Sequence, residues 1–551
     1  MTSLSRRSFV KGIAAMPLVM GVTPLARASS GYVRYDCTSA EGIDMLATYA
    51  SAVTQMRALG ADDPMSWMWQ WYAHFVNGAT TKAAELDRVF GTATSPMRTL
   101  AEETWDMCQP HGGQNANFFL PWHRMFVYYF ERVVRYVSGR SDFTLPYWDY
   151  TSDDLAKRGI LPPHFRMPDD PVFGSLYIKN RKAAANAGQP IQQNQPTDVM
   201  DISDTMAKAN YMTSGGVTGF CRSVDSGIHS RIHVLVGTST DMGKIPYAGN
   251  DPLFWVHHSN IDRIWASWTH NGGVNPVTAT WAKKQFVMVD AGGVRVQAPL
   301  NQYMDEAALG YGYECLIPPP VAASATLAMA APRTTAPTGT VAERVASARA
   351  AAMLGDKPTR VMLEPLAGAR RSEVLGLDGT GKRAYLLLKD LHTWEQPGVL
   401  FHVYVGPGKG PARLDAAHHA GVINFFDAEF HNFGDPKMDM ALGENLYSFD
   451  VTAILESLRR NAGGNARAAL LVSIVPAGRP AAARWSARSN WSASNGQDTM
   501  RSQNPLTPSR KVLALGEWRR APSPTKVASN CSSSVRCSAV RLTGVSTTAL
   551  Q

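Results

Sequence analysis

Between Thr38 and Ser138 apolar residues recur every three or four positions, and the spacing predicts helices over 41–59, 67–77, 95–107 and 122–137. Pro121 sits at the N-terminal edge of the last, where its fixed φ and missing N–H are tolerated. Residues 151–216, rich in Pro, Asn, Asp and Gly, read as long surface loops, the kind of segment that shapes a substrate mouth. A second helical tract opens with Gly227-Ile-His-Ser-Arg-Ile-His233 and continues from Asp251-Pro252. Past an Ala-, Thr- and Pro-rich stretch the periodicity becomes extended. Short runs at 359–366, 384–391, 398–405, 421–426, 446–451 and 468–475 are separated by Gly, Pro and Asp turns, which predicts a small antiparallel β-sandwich or barrel. The expected organisation is a leader over 1–28, a mainly α domain over 29–317, a linker over 318–358, a β domain over 359–480 and a disordered tail over 481–551.

A chain of 551 residues, 45% apolar and 18% charged, has ordinary globular composition and more than one domain. Its net charge of +9 does not imply a nucleic-acid partner. Much of it sits in Arg6, Arg7, Lys11 and Arg27 and in a basic tail from Arg484, so it describes flanks. Ser5-Arg-Arg-Ser-Phe-Val-Lys11, the apolar run 13–22 and Ala26-Arg-Ala28 read as a twin-arginine signal peptide. The alternative is a basic cytosolic N-terminus. Export through the twin-arginine machinery to the periplasm or beyond is the expectation, and no run is long enough to span a bilayer. Six cysteines in an exported chain permit disulfides without demanding them. Cys37 and Cys315 flank the α domain and are a candidate pair.

On a helix, His229 and His233 leave one face a turn apart, spaced to chelate a single ion. The segment Asn250-Asp-Pro-Leu-Phe-Trp-Val-His-His-Ser-Asn-Ile-Asp-Arg-Ile-Trp265 offers a third ligand, with Asp262 one turn beyond His258. Upstream, His74, His111 and His123 form a matching set. Two groups of three imidazoles, without carboxylate or thiolate at matching spacing, suit copper, zinc, iron or nickel over magnesium or calcium. Residue types leave the metal open. One such pair alone is more often core packing than a ligand set. His164, His270, His392, His402, His418, His419 and His431 lack comparable frames and read as surface or core residues.

Trp122-His-Arg with Phe130-Glu131, and the segment Asp251–Trp265, resemble the two copper signatures of the tyrosinase, catechol oxidase and molluscan haemocyanin group. The likeness runs from about Arg34 to Pro480. It implies a mainly α catalytic domain whose four-helix bundle holds two copper ions. By resemblance the first takes His74, His111 and His123 and the second His229, His233 and His258, with His257 the non-ligand of its pair. Some relatives crosslink a cysteine to the second histidine of the first site, so Cys108, three residues before His111, is a thioether, a free thiol or a disulfide partner. Tyr311-Gly-Tyr313 resembles the paired-tyrosine motif that closes the family's catalytic domain, with Arg34 as its partner. The turn Thr144-Leu-Pro-Tyr-Trp-Asp149 recurs in the family and reads as core packing. Segments 387–391, 422–426 and 475–480 resemble the C-terminal domain of plant polyphenol oxidases, a lid on the site or a passive stabilising domain.

The resemblance implies oxidation of o-diphenols to o-quinones with dioxygen as co-substrate, taken between two coppers. Asp225 stands where plant-type relatives have a water-holding Glu, and is a base through water or a helix-capping aspartate. Ser230 stands where monophenol-hydroxylating relatives often have Asn, which favours diphenol oxidation over hydroxylation. Ile245 takes the place of a bulky gate residue and leaves a wider entry than Phe. Asp262 is an acceptor behind a ligand or the partner of an arginine. A tyrosinase with dominant monophenolase activity, a haemocyanin-like dioxygen carrier and a di-zinc hydrolase are the alternatives; the last usually has carboxylate ligands.

Overall fold

The computed structural model describes residues 31–108, 117–320, 342–348, 352–365, 382–393, 395–429, 446–461, 469–481 and 538–549. His111, His431 and the twin-arginine stretch lie outside them.

Five helices form in the first part of the chain: α1 (Ala40–Ala58), α2 (Trp67–His74), α3 (Lys82–Phe90), α4 (Pro96–Thr104) and α5 (Phe119–Ser138). Four match the predicted windows, and α3 is additional. Ser39, Ser66, Thr81 and Ser95 start the first four, each accepting an otherwise orphaned N–H of the first turn. The stretch 151–216 is loop broken by single helical turns such as Pro163–Phe165 and Gly174–Leu176, as its composition implied. Helices α6 (Ser230–Val236) and α7 (Pro252–His270) follow, α7 capped by the Asp251 carboxylate with Pro252 in its first turn. From Pro252 to Trp268 every residue of α7 is buried, and α5 packs against both it and α1. Such a helix has neighbours on all sides, so a histidine on any face of it meets protein.

A short parallel pair, β1 (Tyr32–Arg34) with β4 (Tyr311–Tyr313), ties the two ends of this half together, setting Arg34 opposite Tyr313. The fully buried Arg34 guanidinium pairs with Glu131 at 2.9 Å and Asp262 at 3.0 Å, and lies 4.0 Å over the Tyr311 ring. Asp262 also accepts from Arg124 at 2.5 Å, Tyr311 at 2.5 Å and Tyr313 at 2.6 Å. Of the two readings of Asp262, the arginine pairing is what the structure shows. The turn carrying Tyr147 and Trp148 is core, as expected. A hairpin, β2 (Gln285–Asp290) and β3 (Val294–Pro299), packs on α5.

The second half is one antiparallel sheet: β5 (Ala342–Ser347), β6 (Ala352–Leu354), β7 (Thr359–Pro365), β8 (Lys382–His392), β9 (Phe401–Pro407), β10 (His419–Ile423), β11 (Tyr447–Asp450), β12 (Leu470–Pro476) and β13 (Ser538–Ala549). Their order is β10-β9-β12-β7-β5-β13-β8-β11, with β6 on β13. The sheet curls until its end strands β10 and β11 meet, and a Cβ on Gly421 would fall 2.3 Å from the Phe449 ring. All six predicted runs are strands within a few residues. Two expectations are corrected: β5 and β6 lie inside the stretch read as linker, and β13 inside the tail read as disordered. Composition pointed away from structure there, and pairing with β7 and β8 overrides it. Cys37 is buried, Cys315 exposed, and both are free, so the candidate disulfide is also corrected. Among the described residues no helix is long and apolar enough to cross a membrane.

Removing one partner from a buried ion pair leaves an uncompensated charge, at a cost of about 3–5 kcal/mol. Asp262→Asn, which leaves Arg124 only the more distant Glu306 at 3.7 Å and removes half of Arg34's pairing, is expected to lower the urea-unfolding free energy by about that amount.

Candidate metal centre

Two groups of donors converge where α2, α5, α6 and α7 meet. His229, His233, His257 and His258 form one and His74, Cys108 and His123 the other, with the donor atoms of each group within 4.8 Å of one another. All seven side chains are buried. The groups adjoin: the His258 ring stacks on His123 at 4.2 Å with planes 10° apart, and His229 lies 6.2 Å from His123. His258 thus touches both sets. His257 stays within its own group, its ring 5.0 Å from His233 and 5.5 Å from His229, with Tyr150 at 5.4 Å. The structure brings together five of the six predicted ligands, and the sixth, His111, lies outside the described residues.

Backbone carbonyls aim the rings. Nδ1 of His123 bonds Phe119 O at 2.9 Å, that of His229 Asp225 O at 3.1 Å and that of His233 Met242 O at 2.8 Å. A carbonyl accepts, so each Nδ1 carries the proton and each Nε2 keeps its lone pair for a metal. Nε2 of His233 and both ring nitrogens of His257 and His258 are buried without a hydrogen-bond partner among the described residues. Burial lowers every one of these imidazole pKa values: His229 to about 4, against the opposing charge of Asp427 and with help from Arg222, and, reinforced by neighbouring rings, His74 to about 3 and His123, His233, His257 and His258 well below the ordinary value. Neutral rings with unsatisfied nitrogens are the form a metal ion requires. Neither group contains a carboxylate, so the donor set fits a borderline or soft ion such as copper and not magnesium or calcium.

The remaining predicted residues fall around this centre in unequal ways. Asp225 lies inside the helical run, not at its cap, so the capping alternative is corrected; its carboxylate pairs with Arg222 at 2.8 Å. Burial pushes the Asp225 carboxyl up while Arg222 opposes the rise. Ser230 is buried, its hydroxyl donating to Asp225 O at 2.7 Å. Ile245 is buried at the start of a short helix, with its backbone beside the His74 ring. Cys108 packs its sulfur 3.7 Å from Nε2 of His123, and burial pushes its thiol up, keeping it protonated.

Three aromatic rings escaped the sequence reading. Phe119 lies 4.7 Å from His123 and 4.6 Å from His229; Phe254 lies 4.7 Å from His74 and 4.2 Å from His258. Phe119 precedes one recognised motif and Phe254 lies within the other, and their helical offset of four residues from His123 and His258 was the available signal. Phe426 comes from the β half, stacking on His233 at 4.2 Å with planes 10° apart. Beside it Asp427 lies 3.3 Å from the Ser230 hydroxyl, and Glu429 pairs with Lys244 at 2.6 Å. No local pattern announces these contacts.

Residues 66–193 and 173–271 match the model of the common central domain of tyrosinase. This part of the chain carries the common central domain of tyrosinase. It is 31% identical over 301 residues to a tyrosinase of Hahella sp. (strain CCB-MM4), covering 50% of this chain and 62% of that protein. To chloroplastic polyphenol oxidase II of Ipomoea batatas it is 26% identical over 307 residues, covering 49% and 47%. The chain therefore spans roughly half to three fifths of the length of these curated relatives. Its fold is that of latent apple tyrosinase, with TM-score 0.53 and 20% identity over 83% of this chain and 96% of that one. A latent aurone synthase aligns with TM-score 0.51, at 19% identity over 81% and 86%.

Two outcomes follow. His258→Ala is expected to cost the copper-grown protein one bound ion while His257→Ala keeps the full complement, read by metal analysis of the folded protein. A histidine whose folded pKa lies below its unfolded value of about 6.5 binds its proton on unfolding. The metal-free protein is therefore expected to melt at falling temperature as pH drops from about 6.5 towards 4, and bound copper to raise the melting temperature at every pH above that window.

Proposed function

We propose that this chain is a copper-dependent polyphenol oxidase that converts o-diphenols to o-quinones with dioxygen, two catechols and one dioxygen giving two quinones and two waters. The observation that carries the reading is the abutment of two buried, neutral imidazole groups through His258 and His123. His74 and His123, with His111 by resemblance, would hold one copper; His229, His233 and His258 would hold the other. When bound, the pair supplies two-electron redox chemistry towards dioxygen and the diphenol.

The protein's own part is to keep the rings neutral, aim them and exclude water. Phe119 and Phe254 wall the donors on the helical side. Asp225 and Asp427 share the Arg222 cation, at 2.8 and 3.9 Å, and would be the carboxylates that receive a phenolic proton. Burial pushes both of their carboxyls up, which suits proton exchange near neutrality. Ser230, spent on a backbone carbonyl, offers no amide towards substrate. That supports diphenol oxidation over monophenol hydroxylation. Folded export by the twin-arginine route belongs to this reading, because such a centre is loaded before transport.

Phe426 makes the described conformation a closed one. Its ring covers His233 where an aromatic substrate would approach, and Lys244–Glu429 holds its segment down. Of the two roles read for the β half, we take the lid. Phe426→Ala is expected to raise the rate of catechol oxidation by about tenfold or more at unchanged copper content, since a closed-to-open ratio of ten suppresses a site by that factor. Quinone absorbance measures it, and absence of quinone from the copper-loaded variant would sink the proposed activity.

A further inference from the structure

The lid is also joined to the backbone that carries the second metal site. Along the segment from Thr218 to Val236, the β half takes hold at several points. Ser448 Oγ lies 2.8 Å from both the N–H and the hydroxyl of Thr218. Ser226 O accepts from Asn424 Nδ2 at 3.0 Å and lies 3.1 Å from the Tyr447 hydroxyl. Lys182 Nζ donates to Val234 O at 2.6 Å and to Gly398 O at 2.8 Å, bridging the end of α6 to the loop that leads into β9. Between these points stand His229 and His233.

The hold on Ser226 falls where the helix is irregular. The residues Val224–His229 form a wide turn with hydrogen bonds spanning five residues, and at Gly227 the backbone leaves helical geometry with ψ −112°. Bulges of this kind displace carbonyls from the regular ladder and need other donors for them. The carbonyl one residue earlier, Asp225 O, is the acceptor that orients His229 through Nδ1. Asn424 and Tyr447 therefore grip the peptide next to the one that aims a ligand. Both are buried, and the Tyr447 hydroxyl is itself fixed by accepting the Asn424 N–H at 3.2 Å.

We propose that Asn424 and Tyr447 are positioning residues of the second metal site: the sheet splints the bulge that presents His229, so the β half completes the centre as well as covering it. This rests on the dicopper reading above. Removing a partner that orients a ligand typically costs about 10–100-fold in metal affinity. Such a loss falls on one ion of the pair, and Phe426, which touches the ring but not the bulge carbonyl, does not share in it.

The test uses the full-length, copper-loaded protein, the Tyr447→Phe variant, the Tyr447→Phe/Asn424→Ala variant and Ser448→Ala as an interface control. Copper is titrated against a chelator of known affinity, the cupric protein is examined by electron paramagnetic resonance, and melting curves check the fold. In the double variant the weaker ion is expected to lose about 10–100-fold in affinity, and the signal of an isolated cupric ion, silent in a coupled pair, to appear. Wild type and Ser448→Ala are expected to hold two ions and stay silent. Two ions held at wild-type affinity by a folded double variant would overturn the proposal. If the double variant does not fold, Tyr447→Phe, lacking a single oxygen, decides by the same titration: a smaller loss supports the splint and no loss overturns it. A wild type holding fewer than two coppers overturns the dicopper reading itself, a separate result.

Discussion

The structure turns on keeping a crowd of imidazoles neutral while burying them together. Each charge that could disturb them is matched to a partner outside the donor groups. Asp262, one turn past His258, is taken up by Arg124 and Arg34; Asp251, at the head of the same helix, by Arg181; Asp225 and Asp427 by Arg222. With carboxylates so occupied, the nearest groups to the rings are backbone carbonyls and aromatic faces, except at His229, where Asp225 Oδ1 lies 3.4 Å from Nδ1. Buried imidazoles then lose protons they would keep in water. The result is a site whose donors are unprotonated at neutral pH before any metal arrives. A single unpaired carboxylate among them would bring anionic charge and hard-ion preference with it.

Much of this was legible in the chain because its signals are local. The four-residue step from His229 to His233 shows one helical face, Asp251-Pro252 marks the start of α7, and alternation marks six strands of the sheet. Arg34 and the Tyr311–Tyr313 pair were found through a motif, and the parallel pairing of β1 with β4 is its physical basis. What escaped depends on contacts between distant segments. Phe426, Asp427 and Asn424 sit in the turn after β10; the likeness of 422–426 to a plant-type lid was legible, but nothing local says which of these residues meets His233, Ser230 or the Ser226 carbonyl. The bulge at Gly227 is equally silent: the spacing of His229 and His233 implies a regular helix opening at Gly227, and the extra residue per turn is a consequence of packing. Strands β5 and β13 were hidden for a third reason, since Ala-, Ser- and Thr-rich runs carry weak alternation and take their conformation from the partners they pair with.

Covering and bracing are done by neighbouring residues of one turn. Phe426 lies on His233, while Asn424, two positions earlier, holds the carbonyl beside Gly227. The two contacts differ in what they resist. The ring contact is apolar and non-directional, so sliding the ring aside costs packing without leaving a buried polar group unmet. The carbonyl grip is directional and buried, and breaking it strands an acceptor unless water enters. Small displacements of the 425–429 turn can therefore uncover His233 while the bulge stays braced, whereas lifting the whole sheet gives up both. Leu400, Val422 and Phe426 also belong to the hydrophobic core of the helical half, so lifting the sheet would expose apolar surface as well. The physical grain of this interface favours opening by local rearrangement of the turn over detachment of the β half.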